Sequence, residues 1–124
     1  MVMWTSSVPI HDKDITDMNA LKWDREFAME QAADDRELLQ ELLTIFKDSL
    51  QADVLLIEQG LEEESASKVC SAAHSIKGAS ASLGIMGIKE LALIIEEESR
   101  AGGLETARLK LPELQSLLHQ VQNL

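Results

Sequence analysis

The feature that most constrains the fold is a long stretch of sequence without proline. The only two prolines are Pro9 and Pro112, so residues 10–111 contain none. Glycine is also sparse, with six in 124 residues. Because proline and glycine are the residues that most disfavour helices, this composition favours an all-α protein.

Hydrophobic residues recur at helical spacing in four long segments. The first begins at Asp34-Asp35-Arg36-Glu37, which resembles a capping box, and is predicted to end near Gly60. The second has Ser65 as its N-cap and stops at Gly84. The third spans about 86–101, with Ile88, Leu91 and Ile94/Ile95 facing inward, and the fourth contains Pro112, which either starts or kinks it.

Short connections between these segments predict an antiparallel four-helix bundle with a short additional N-terminal helix. That short helix is predicted over residues 23–31, with Trp23, Phe27 and Met29 facing inward. Residues 1–20 are expected to be a loose lead-in, and residues 21–124 the helical domain.

Charge and composition exclude several classes of function. The chain has 22 acidic residues against 11 Lys plus Arg, a formal net charge of −11. Such a surface repels phosphate backbones and anionic lipids, so we expect no nucleic-acid binding and no membrane contact. Cys70 is the only cysteine, which rules out an internal disulfide. The sequence shows no signal-peptide pattern and no apolar run near the ~20 residues of a membrane span, so a cytoplasmic protein is expected. Its core is expected to be aliphatic.

One segment departs from the acidic character of the chain. Residues 65–89 contain three lysines and none of the acidic residues. Such a segment suits contact with an anion or a phosphoryl group. The alternative explanation is a helix of small residues that packs closely against its neighbours, and the gap favours the functional interpretation only slightly.

A helical projection of this segment separates an apolar face from a face of small residues around His74. Val69, Ala72, Ile76, Ala79, Ser80 and Leu83 lie on the apolar face. The opposite face carries Ser67, Cys70, Ser71, His74, Lys77, Gly78 and Ala81. A glycine inside a helix costs about 1 kcal/mol relative to alanine, which is reasonable if another protein must approach His74 closely.

The segment from Ala73 to Gly84, AHSIKGASASLG, resembles the signature of histidine-containing phosphotransfer (HPt) domains, A-H-x-L-K-G-[AS]-[AS]-x-x-L-G. Only Ile76 departs from it, in place of a common leucine. The long preceding helix, the pair Ile95-Glu96, and Arg100 with Gly102 also match positions where the family often has similar residues. The resemblance covers residues 23–124.

The resemblance implies that His74 accepts a phosphoryl group and relays it between receiver-domain aspartates, with no kinase activity of its own. Lys77 would balance the charge of the phosphoryl oxygens. Glu96 would orient the imidazole; alternatively, residues 96–98 form an exposed acidic face. The implied partners are response-regulator receiver domains and a hybrid sensor histidine kinase. The chain is either a free-standing protein or a part of such a kinase.

The residues expected to dock a partner surround His74. They are Ser67, Cys70, Ser71, Gly78, Ala81 and Arg100. Arg100 would either pair with Glu96 or touch the receiver, and Cys70 is either a small docking residue or a regulatory thiol. His11 and His119 have no partner motif and are expected on the surface.

We expect no cofactor and no metal site in this chain, because nucleotide-binding glycine motifs and Cys/His clusters are absent. Any Mg²⁺ would belong to the partner receiver. A monomer is expected. A helical adaptor that docks a receiver or kinase without carrying phosphate is the alternative function, and a metal-dependent or hydrolytic enzyme has no supporting residues.

Overall fold

The computed structural model describes residues 20–124, and these form five helices. The helices are α1 (Arg25–Gln31), α2 (Arg36–Glu62), α3 (Ala66–Ser82), α4 (Met86–Arg100) and α5 (Glu105–Gln122). Within these residues there is no β-strand, only one antiparallel bridge between Trp23 and Ile85. The all-α prediction is confirmed.

The four long helices form a ring in which each packs against two neighbours. Contacts join α2 to α3, α3 to α4, α4 to α5, and α5 back to α2, while α1 packs on α2. Because the connections between successive helices are only a few residues long, neighbouring helices run antiparallel. Buried Leu, Ile, Val and Ala fill the centre, and Phe46 is the one aromatic residue among the buried core residues described.

Side chains and glycines set several helix ends as the sequence predicts. The Ser65 hydroxyl accepts a hydrogen bond from the backbone N–H of Lys68, which caps α3. Gly84 follows α3 with a φ of +71°, in the left-handed region that other residues rarely adopt. Helix α4 then begins at Met86, so the tight turn brings α3 and α4 together side by side.

The predicted start and end of α2 were wrong in detail. Asp35 is the N-cap, and its side chain accepts hydrogen bonds from the N–H groups of Glu37 and Leu38. The third residue after the N-cap is therefore Leu38, and Glu37 is not placed for a capping box. The helix continues past Gly60 to Glu62. A Cβ at Gly60 would lie 2.7 Å from Cγ2 of Val69, so this glycine permits close packing of α2 on α3 instead of ending the helix.

Three other predictions need correction or addition. Helix α1 begins at Arg25, and Trp23 lies in the preceding segment, paired with Ile85. Ile95 is buried as predicted, but Ile94 is 46% exposed. Of the two alternatives for Pro112, starting its helix or kinking it, the first is wrong, because Pro112 lies well inside α5. The predicted lead-in, apart from Ala20, and His11 lie outside the described residues.

Candidate functional site

His74 lies in the middle of α3, on the face turned away from the core. Its side chain is 68% exposed. The core-facing side of the same helix is buried at Val69, Ala72, Ala73, Ile76 and Ser80. The helical projection therefore places the imidazole correctly at the surface.

Glu96 of α4 lies directly beneath this imidazole. Its side chain is fully buried, at 0% exposure, and its Oε2 atom lies 2.8 Å from Nδ1 of His74. The adjacent Glu97 is exposed, and Glu98 accepts a hydrogen bond from the backbone N–H of Thr106 at the start of α5. The alternative interpretation of residues 96–98 as one exposed acidic face is therefore wrong.

Two permanent cations share the Glu96 carboxylate with His74. Nζ of Lys77, on α3, lies 2.7 Å from Oε1, as an ion pair without the alignment of a hydrogen bond. Arg100, one turn further along α4, donates from Nη2 to Oε2. A buried carboxylate is costly unless it is paired, and these contacts supply the pairing.

These contacts change the acidity of Glu96. The Lys77 ammonium is the largest cause that lowers the pKa of Glu96, from 4.5 to about 2, against the opposing effect of burial. The hydrogen bond from His74 and the charge of Arg100 also lower it. The carboxyl group is consequently ionised at neutral pH.

An ionised Glu96 determines which nitrogen of His74 carries the proton. A carboxylate can only accept hydrogen bonds, so Nδ1 must be the N–H donor. In the neutral imidazole the lone pair then resides on Nε2, the ring nitrogen that is not engaged by Glu96. The site thus presents a nucleophilic nitrogen to the outside of the molecule.

Comparison with known proteins assigns the family. The family model described as the Hpt domain matches residues 41–124. The chain belongs to the Hpt domain family. Hpt domains act in histidine phosphotransfer within phosphorelays and interact there with receiver domains and kinases. A comparison with curated proteins gave no match.

A solved structure shows the same fold. It is the crystal structure of the HPT domain from a hybrid sensor histidine kinase of Shewanella, which is 24% identical to this chain. The similarity covers 84% of this chain and 93% of that one, with a TM-score of 0.68. The bundle found here is therefore the Hpt fold.

The predicted docking residues of this Hpt domain lie around His74 with differing exposure. Ser67, Ser71, Gly78 and Arg100 are exposed, and Cys70 and Ala81 are half-buried. A Cβ placed on Gly78 would meet no atom within 4 Å, so packing within the domain does not require glycine there. The Sγ atom of Cys70 lies 3.8 Å from the carbonyl oxygen of Glu96, which places this thiol against α4.

Sequence reasoning missed one polar contact beside the site. The Ser75 hydroxyl, next to His74 in the chain, donates to Oδ2 of Asp53 on α2, at 2.7 Å. Neither residue carries a motif that would have indicated the pair. The contact shows that the surface of α3 beside His74 continues onto α2.

No group of three or more His, Cys, Asp or Glu side chains suitable for a metal ion occurs among residues 20–124. In the same part of the Hpt domain, none of the helices is long and apolar enough to cross a membrane.

Proposed function

We propose that this Hpt domain relays a phosphoryl group between receiver-domain aspartates through a phosphohistidine at His74. The observation that carries the proposal is the pairing of His74 Nδ1 with the buried Glu96 carboxylate, 2.8 Å away. This pairing leaves Nε2 of an exposed ring with a free lone pair.

The reaction is a displacement at phosphorus. Nε2 attacks the aspartyl phosphate of the receiver, the new N–P bond forms, and the P–O bond breaks with its electron pair going to the aspartate carboxylate. The proton remains on Nδ1, so the imidazole ring becomes cationic, and the ionised Glu96 beneath it stabilises that charge. The reverse displacement returns the electron pair to Nε2 and passes the phosphoryl group to another receiver.

Lys77 is proposed to balance the charge of the phosphoryl oxygens. Its side chain is 27% exposed, one turn from His74 on the same helix. Arg100, which is more exposed, would contact the docked receiver or hold Glu96 in place. Any Mg²⁺ is assigned to the receiver, and the phosphoryl donor upstream is expected to be a hybrid sensor histidine kinase.

The test is phosphotransfer from a panel of receiver domains that have been phosphorylated by their own kinases. Wild type, His74→Gln and His119→Gln are compared; His119 is an exposed histidine on α5 that serves as the matched control. Acid-labile, base-stable label should appear on the wild type and on His119→Gln, and not on His74→Gln.

The same experiment separates the adaptor alternative. A receiver that binds wild type and His74→Gln equally, without transferring label to either, would favour a docking role without phosphate. Label that persists on His74→Gln would place the acceptor elsewhere and overturn the assignment of His74.

A further inference from the structure

The residues just before α1 lie across the turn that joins α3 to α4. We call this segment, residues 20–24, the N-terminal strap. Nε1 of Trp23 donates to the carbonyl oxygen of Leu83 at 3.0 Å, and the N–H of Asp24 donates to that of Gly84 at 2.8 Å. The strap therefore occupies backbone acceptors at the point where α3 ends.

Gly87, in the first turn of α4, leaves the space that the strap fills. A Cβ at this position would overlap the carbonyl oxygen of Ala20 and lie 2.9 Å from that of Leu21. The three atoms nearest to it all belong to these two strap residues. Because glycine disfavours a helix, its presence here is explained by the close approach of the strap.

The seated strap holds a strained backbone at one residue. Lys22 has a φ of +49°, in the left-handed region that residues with a side chain rarely adopt. Its carbonyl oxygen accepts from the N–H of Met86 at 3.2 Å, and its ammonium pairs with the exposed carboxylate of Glu90 at 2.9 Å. An exposed ion pair contributes little, so buried Leu21 and the ring of Trp23 are the main anchors. A segment held by few contacts against strain opens locally at a smaller free-energy cost than the whole fold.

The turn beneath the strap connects the two helices that carry the candidate site. His74 on α3 is ten residues before Gly84, and Glu96 on α4 is ten residues after Met86. Each side chain is therefore about 15 Å along its helix from the turn. The 2.8 Å contact between Nδ1 of His74 and Oε2 of Glu96 can lengthen by only about 0.4 Å before it leaves the usual hydrogen-bond range. A small displacement of α4 against α3 is enough to break it.

We infer that the N-terminal strap is a conformational device that controls the pairing of Glu96 with His74. When seated, it fixes the register of α3 and α4 in which the carboxylate lies beneath the imidazole. When withdrawn, it lets the start of α4 move, so that Nδ1 loses its acceptor and the proton distributes between the two ring nitrogens. Withdrawal therefore lowers phosphotransfer without a change in any residue of the site. The effect on transfer rests on the proposed function, whereas the effect on the imidazole does not.

The test is Gly87→Ala in the full chain. The added methyl group overlaps the seated strap, whereas alanine favours the helix itself, so the bundle should fold with its strap withdrawn. Amide hydrogen exchange at Asp24 should accelerate about tenfold, which reports the withdrawal. Glu90→Gln, which removes only the exposed ion pair of Lys22, is the matched control and should keep the wild-type exchange rate.

Nitrogen NMR of the imidazole rings then measures the consequence at the site. In wild type and in Glu90→Gln, the proton of neutral His74 should reside on Nδ1. In Gly87→Ala, the ring nitrogens should show a mixture of both tautomers. Phosphotransfer from the receiver panel should then fall about fivefold, because only rings protonated on Nδ1 can attack through Nε2. The ring of His119, on α5, is the internal reference and should be unchanged.

Trp23→Phe is the second variant, because it removes the hydrogen bond to Leu83 without adding an atom to α4. It should accelerate exchange at Asp24 and shift the tautomers of His74 in the same direction as Gly87→Ala. Wild-type exchange in both variants, or faster exchange with an unchanged His74 tautomer, would overturn the inference.

The failure of this inference is distinguishable from that of the proposed function. The exchange and NMR measurements use no receiver, so they test the strap independently of phosphotransfer. Label on His74 of wild type together with an unchanged tautomer in Gly87→Ala would refute the control by the strap and leave the proposed function standing. A shifted tautomer without transfer from any receiver to wild type would support the strap and overturn the proposed function.

Discussion

At the scale of single residues, Glu96 is the side chain on which the site depends most. It is buried, it accepts from Nδ1 of His74, and it forms ion pairs with Lys77 and Arg100. Through its contacts with His74 and Lys77, its carboxylate joins α3 to α4. Its removal should therefore affect both the stability of the fold and the chemistry of the site.

The first prediction concerns the pH dependence of that contribution. Because the pKa of Glu96 is lowered to about 2 from 4.5, the stabilisation by its charge is present above pH 4.5 and is lost as the pH falls towards 2. Urea unfolding of wild type and Glu96→Gln should show a stability difference that is constant near neutral pH and shrinks between pH 4.5 and 2.

The control is Glu97→Gln, at the exposed neighbour on the same helix. This variant should not show the shrinking difference. A Glu96→Gln difference that stayed constant down to pH 2 would contradict the ion-pair network described here.

At the scale of helices, the two glycines of the segment from Ala73 to Gly84 serve opposite purposes. Gly78 lies within α3 in open space, whereas Gly84 ends α3 with a φ of +71°. A Cβ on Gly84 would also lie 2.9 Å from the carbonyl oxygen of Asp24. The first glycine is a cost to the isolated helix, and the second is a requirement of the turn.

The second prediction follows from this contrast. Gly78→Ala should raise the free energy of unfolding by about 0.5–1 kcal/mol while slowing phosphotransfer from receivers, because the added methyl group obstructs close approach to His74. Gly84→Ala should lower the free energy of unfolding by about 1 kcal/mol or more. Urea unfolding measures the free energy of unfolding of both variants, and a phosphotransfer assay measures the rate for Gly78→Ala. An unchanged transfer rate in Gly78→Ala would show that glycine is not needed for docking.

At the scale of the whole molecule, the segment before α1 ties the N-terminal part of the described chain to the turn between α3 and α4. Nε1 of Trp23 donates to the carbonyl oxygen of Leu83 at 3.0 Å, and the N–H of Asp24 donates to that of Gly84 at 2.8 Å. This segment lies outside residues 41–124, which match the family model, yet it holds the end of the helix that carries His74.

The third prediction tests that connection. Trp23→Ala should lower the free energy of unfolding by about 2 kcal/mol, since it removes both the ring packed against the core and the hydrogen bond to Leu83. Trp23→Phe keeps an aromatic ring and should lose about 1 kcal/mol. Equal stability of wild type and Trp23→Ala in urea would show that the segment is not part of the cooperative fold.

Local sequence signals predicted most of the fold. The caps and turns at Ser65, Gly84 and Met86 depend on residues within one turn of each helix end, and they lie where the sequence indicates. Helix α2 runs two residues past Gly60, because this glycine makes a close contact with Val69 in the first turn of α3 instead of ending the helix. A glycine required by close packing looks the same in sequence as a glycine that ends a helix.

By itself, the sequence determined the helical class of this Hpt domain and placed His74 on an exposed face, because hydrophobic periodicity and capping are local properties of the chain. Only the tertiary structure decided that Glu96, and not Glu97 or Glu98, is the buried carboxylate that contacts the imidazole. The burial of a charge depends on which cations a neighbouring helix brings within reach. That interhelical register arises when α3 packs against α4, and it is not encoded in the spacing of either helix alone.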